Sequence, residues 1–123
     1  MVATSVLFDT NILIDCLRGI LVARTEIDRY SNRAISLVTW MEVVAGVTPS
    51  DEAAVRAFLD TFLIVPVTQA IAENAVLNRR MSRMKLPDSI ILATAQIQSR
   101  LLITRNTRDF PAAQSGIHVP YTL

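Results

Sequence analysis

The feature that most constrains this chain is the regular return of short, β-branched apolar runs, each followed by a longer stretch with helical apolar spacing. Ser5–Phe8, Ala34–Val38, Leu63–Val67 and Leu101–Thr104 read as strands, with a short last strand at His118–Pro120. Between them lie expected helices over Ile12–Arg18, closed by Gly19, and over Val22–Tyr30. A further one contains Trp40, Glu42 and Val43 and ends near Gly46; others cover Ser50–Phe62, Gln69–Met84 and Asp88–Ser99. Thr10 and Asn11 are expected to cap the first helix, Thr48-Pro49-Ser50-Asp51 to start the fourth, and Thr68 to cap the fifth. Pro66 cannot donate to a ladder and shortens the third strand. Asn106–Phe110 reads as a turn or short helix. Strands alternating with helices imply right-handed crossovers and a parallel sheet covered on both faces. In such sheets sites form at the carboxyl ends of the strands.

With 123 residues, 51% of them hydrophobic, the chain suits one domain, residues 1–123, with a sizeable core. Its 12 basic and 11 acidic residues leave a net charge of +1, so any nucleic-acid role must rest on local placement of charge. The single Cys16 allows no intramolecular disulfide and fits a reducing compartment. No apolar run approaches the roughly 20 residues of a membrane span, and no secretory leader is evident. A soluble cytoplasmic protein, with no membrane association, is the expectation. Cys16 and His118 cannot make a zinc site or a Cys–His nucleophilic pair, and there is no phosphate-binding Gly-x-x-x-x-Gly-Lys run.

Four of the eleven acids sit where the alternation places functional groups. Asp9 closes the first strand, Glu42 lies in the first turns of the helix after the second, Asp88 opens a mostly apolar helix, and Asp109 follows the fourth strand by a turn. They should meet at one edge of the sheet. Gathered carboxylates repel and raise one another's pKa. A divalent cation compensates, and Mg²⁺ or Mn²⁺ favours such oxygen ligands. Such an ion can activate water and orient a scissile phosphate. The competing reading is acids that favour helix dipoles, which suits Asp88 and Glu42 but leaves Asp9 without a structural role.

The strings around these acids carry a resemblance. Phe8-Asp9-Thr10-Asn11-Ile12-Leu13-Ile14-Asp15, Thr39-Trp40-Met41-Glu42-Val43-Val44-Ala45-Gly46, Leu86-Pro87-Asp88-Ser89-Ile90-Ile91-Leu92-Ala93-Thr94-Ala95 and Leu102-Ile103-Thr104-Arg105-Asn106-Thr107-Arg108-Asp109-Phe110 resemble, in order, the four motifs of PIN domains. The short form is similar to VapC-type toxins of prokaryotic toxin–antitoxin pairs. The resemblance implies a three-layer α/β/α sandwich around a four- or five-stranded parallel sheet. It implies Mg²⁺- or Mn²⁺-dependent endonucleolytic cleavage of RNA by Asp9, Glu42, Asp88 and Asp109, with Thr104 or Asn106 able to share the fourth role. It also implies a homodimer and a cognate antitoxin. The rivals are a DNA-directed or maturation nuclease, a metal-dependent phosphatase, and a DNA-binding regulatory partner without essential nuclease activity.

Around the acids, Thr10 and Asn11 are expected either to orient Asp9 or a metal-bound water or simply to cap a helix. Thr104 and Asn106 are candidates for holding a ligand or phosphate, and Arg105 and Arg108 for phosphate contact. Arg79, Arg80, Arg83 and Lys85 can hold RNA phosphates or form an ordinary basic helix end. Asp15 is expected to face solvent or pair with Arg18, and Glu26 to lie on a solvated face. Mean hydropathy of +0.38 points to apolar helix faces left over for partners, or to deep burial.

Overall fold

The computed structural model describes residues 4–110 and 115–123, so residues 1–3 and 111–114 of the expected 1–123 unit lie outside the described residues. The elements run β1 (Val6–Phe8), α1 (Thr10–Leu17), α2 (Leu21–Asp28), β2 (Arg33–Ser36), α3 (Leu37–Ala45), α4 (Glu52–Leu59), β3 (Leu63–Val65), α5 (Gln69–Ser82), α6 (Leu86–Ile97), β4 (Leu101–Ile103) and β5 (Ile117–His118). The strands form one five-stranded sheet in the order β3-β2-β1-β4-β5, every pairing parallel. The chain builds outward from β1 to β3 and then returns to β1's other side. That reversal places a crevice at the carboxyl ends of β1 and β4.

Alternation along the strands makes the two outer layers. Leu7, Ala34 and Leu102 join one core with Ile71 and Ala75 of α5 and Ile91, Leu92 and Ala95 of α6. Val6, Phe8, Ile35 and Ile103 join the other with Ile12, Leu13, Ile27, Val55 and Leu59 from α1, α2 and α4. Phe8 is fully buried, and its ring meets Tyr30 and Phe62 edge-to-face, each at 6.0 Å. The result is the three-layer α/β/α sandwich with five strands.

Several local boundaries differ from the sequence reading. β2 stops at Ser36, and Leu37 and Val38 belong to α3, because the Ser36 hydroxyl accepts from the Val38 amide at 3.1 Å and caps the helix. That cap outweighs the β-branched run. Asp9, and neither Thr10 nor Asn11, caps α1: its carboxylate accepts the Thr10 amide at 2.8 Å. Thr48 spends its hydroxyl on Ser50 and Asp51 within a turn, and α4 starts only at Glu52. Thr68 caps α5 as expected, accepting from Ile71 at 3.2 Å. β5 begins at Ile117 and ends at His118, before Val119 and Pro120. Asn106–Phe110 is a turn. No helix among the described residues is long and apolar enough to cross a membrane.

Candidate metal centre at the sheet edge

Asp9 leaves β1 and is 3% exposed. As N-cap of α1 it is fixed by the Thr10 amide on one oxygen. Its other oxygen accepts the Thr104 hydroxyl at 2.8 Å and the Asn11 amide at 3.2 Å. Thr104 follows β4 directly, so the parallel pairing of β1 with β4 is what brings donor and acid together across 95 residues. Thr104 in turn accepts the Asn106 backbone amide at 2.9 Å. The Asn106 side chain donates to Asp109 at 2.9 Å and accepts the Asp109 amide at 3.2 Å, which closes the turn around the fourth acid.

Glu42 stands exposed on α3, its carboxylate taking the Thr10 hydroxyl at 2.7 Å, while Thr10 also lies 3.0 Å from the buried Thr39 hydroxyl. Asp88 sits in the first turn of α6, where the helix N-terminus favours negative charge. Burial raises the Asp9 carboxyl to about 6, with Glu42 and Asp109 adding to the rise against the opposing hydrogen bonds from Thr104 and Thr10. Asp88 is also raised to about 6, first by burial, then by the charges of Asp9 and Asp109, by its contact with the Asp109 carboxyl, and by Glu42. The structure thus gathers all four acids at the carboxyl edge of the sheet, near enough to feel one another.

Among the described residues, no three His, Cys, Asp or Glu side chains are drawn tightly enough to hold one ion between them as they stand. The donor set still suits a hard divalent cation. It is all oxygen, two members are raised by burial and mutual charge, and Mg²⁺ needs only one or two direct carboxylates, its other positions going to water and phosphate.

The neighbours divide differently from the sequence reading. Thr10, Asn11, Thr104 and Asn106 all touch the acids. The Arg105 guanidinium, a candidate for phosphate contact, is engaged by Asp15 in a two-point pair, at 2.5 and 2.8 Å. Asp15 is 1% exposed, in place of the expected solvent position, and it also accepts the Tyr121 hydroxyl at 2.8 Å. Burial would raise Asp15, but the hydrogen bonds from Arg105 and Tyr121 and the charges of Arg105 and Arg18 hold it below its ordinary value. Glu26, expected on a solvated face, is buried, accepting the hydroxyl of the buried Tyr30 at 3.2 Å and the guanidinium of the exposed Arg29 at 3.0 Å. Arg79 donates to the Met84 carbonyl and closes the end of α5, which favours the helix-end reading of the basic cluster.

Tyr121 escaped the sequence reading altogether. The readable signal for Asp15 was its spacing: it falls three residues after the buried Ile12, where the apolar stripe of α1 calls for a core residue.

A doubly covered parallel sheet with acids collected beyond β1, β2 and β4 is the arrangement of the PIN-domain family, and this chain belongs to that family: the PIN domain model matches residues 6–114. Within it the chain is of the VapC type. It is 32% identical over 114 residues to ribonuclease VapC10 of Mycobacterium tuberculosis, with 86% of each chain covered. It is similar also to a chain in the structure of a toxin–antitoxin complex from Klebsiella pneumoniae, at 47% identity and a TM-score of 0.92, covering 97% of this chain and 100% of that one. The crystal structure of FitAcB from Neisseria gonorrhoeae shares the fold at 23% identity and a TM-score of 0.79, with 96% and 99% covered.

Proposed function

We propose that this chain is a Mg²⁺- or Mn²⁺-dependent endoribonuclease and the toxin of a toxin–antitoxin pair, with Asp9, Glu42, Asp88 and Asp109 as its catalytic and metal-holding residues. The observation that carries the reading is the meeting of these acids, with Asp9 and Asp88 both raised to about 6. Structural acids are usually placed to avoid that cost, whereas active sites exploit it. The name of the Mycobacterium tuberculosis relative supports ribonuclease activity, and the Klebsiella pneumoniae complex supports an antitoxin partner.

A bound divalent ion would supply charge neutralisation, a hold on phosphate oxygen and a more acidic water. The chain's own residues do the rest. Thr104, Asn11 and the Thr10 amide fix the Asp9 carboxylate, and Thr10 fixes Glu42, so neither acid has to be ordered when substrate arrives. Asn106 holds Asp109. Asp88, in the first turn of α6 and raised by burial and by the charges of Asp9, Asp109 and Glu42, would help hold the ion that offsets their repulsion. In-line attack by water leaves a 3′-hydroxyl and a 5′-phosphate.

The antitoxin face is a groove of about 420 Å³ lined chiefly by Leu17, Leu21, Ile20 and Phe58, with none of the four acids among its lining residues and apolar enough to suit a protein helix rather than RNA. A second copy of the chain would cover Val76, Leu77 and Met81 of α5, which are 43%, 53% and 83% exposed. The reducing compartment in which Cys16 stays a thiol is the cytoplasm.

The test is cleavage of a structured RNA by the purified chain with Mg²⁺, Mn²⁺ or a chelator, followed by end-group analysis, beside the Asp9→Asn/Asp88→Asn variant. Metal-dependent cutting with 3′-hydroxyl ends, lost in the variant, is expected. Metal-independent cutting with cyclic phosphate ends removes the mechanism, and preferential cutting of DNA removes the substrate. On induced expression the wild-type chain should arrest growth and the variant should not. Full arrest by the variant would favour the DNA-binding regulatory role instead.

A further inference from the structure

The Asp15–Arg105 pair joins α1 to the turn after β4 that carries Thr104, Asn106 and Asp109. Asn11 and Asp15 stand four residues apart on one face of α1. Asn11 reaches Asp9 with its amide and accepts the Arg105 backbone amide at 3.4 Å. Asp15 grips the same residue's guanidinium at both ends of its fork. Arg105 is flanked in sequence by Thr104, which donates to Asp9, and Asn106, which holds Asp109. Wherever Arg105 is held, both neighbours go with it. Tyr121, beyond β5, adds its hydroxyl to the same Asp15 oxygen that takes the Arg105 Nε. A buried acid held by three hydrogen bonds from two side chains is rigid, and it is costly to leave half satisfied.

We propose that Asp15, Arg105 and Tyr121 are positioning residues for the acidic site: together they clamp the turn 104–109 onto α1, so that the segment after β5 sets the placement of Thr104, Asn106 and Asp109. The clamp touches neither substrate nor ion. It works by keeping the turn in the one conformation that presents Asp109 toward Asp88 and Thr104 toward Asp9. The consequence for activity rests on the nuclease reading above; the consequence for the turn does not.

The gentlest probe is Tyr121→Phe, which removes one hydroxyl and keeps the ring, with Arg105→Lys beside it to keep the charge and lose the fork. Amide hydrogen exchange on the 123-residue chain reads the turn directly. Exchange at residues 105–109 should speed up about three- to tenfold in Tyr121→Phe, the worth of one hydrogen bond, while β1 and the middle of α6 stay unchanged. Mn²⁺ binding should weaken by a similar factor. In RNA cleavage, kcat should fall with KM for RNA unmoved, and Arg105→Lys should fall further. Unchanged exchange in the turn overturns the proposal, as does a uniform rise across the chain, which would mark a purely global stabilising role. If the wild-type chain fails to cut RNA, the nuclease reading falls, and the exchange and Mn²⁺ results still decide on the clamp.

Discussion

Asp9 is buried at 3% exposure with a carboxyl raised from 3.8 to about 6, so the folded chain binds a proton there more tightly than the unfolded chain does. The contribution of such a group is fully present below about pH 4 and is lost as pH rises through about 6; Asp88 behaves alike. Without metal, the chain should therefore melt at a lower temperature at pH 7.5 than at pH 5, and saturating Mg²⁺ should close most of the gap at pH 7.5. Scanning calorimetry at the two pH values, with and without Mg²⁺, checks this. Asp9→Asn keeps a capping oxygen for the Thr10 amide and removes the buried charge, though it sets an NH₂ against the Thr104 and Asn11 donors. It should be about 1 kcal/mol more stable than wild type at pH 7.5 without metal, while cleavage falls about 100-fold or more. A variant that loses stability and keeps activity would contradict the account. The gathering of these four acids was legible in the sequence because strand ends and helix starts in a parallel sheet share one edge. The partners that let Asp15 be buried were not. An acid goes inside only with its partners, and those of Asp15 lie 90 and 106 residues along the chain.

Where a strand hands over to a helix was the least legible boundary in the chain. Val38 reads as strand by its branching and as helix by its distance from Ser36, and the hydroxyl's bond to the Val38 amide decides. Ser36→Ala should therefore cost about 1 kcal/mol in denaturant unfolding. Because α3 carries Glu42, the same variant should also loosen the Thr10–Glu42 contact and lower cleavage several-fold. Phe8 tests the layer beneath. Its ring fills the space between Tyr30 and Phe62, and Phe8→Ala should cost about 3–5 kcal/mol, enough to unfold a marginal domain. The alternation that sorts Leu7 from Phe8 onto opposite layers was readable from β1 alone, which is why the sandwich could be drawn before its boundaries.

The whole molecule carries more apolar surface than its two cores cover. Leu21 is 79% exposed and Leu17 41%, beside a groove that no acid of the site lines. Leu21→Asp should leave melting temperature and RNA cleavage unchanged and weaken antitoxin binding by about tenfold or more, read by calorimetric titration with the purified partner. Loss of cleavage instead would place that groove in the catalytic half of the protein. The central claim is that four separated acids make one cation site. Mn²⁺ titration followed by electron paramagnetic resonance, on the wild-type chain and on Asp9→Asn/Asp88→Asn between pH 5 and 8, tests it most directly. Binding should be present in the wild type, tighten as pH rises through about 6 as the two raised carboxyls ionise, and vanish in the variant. Equal affinity in both chains, or none in either, would contradict it.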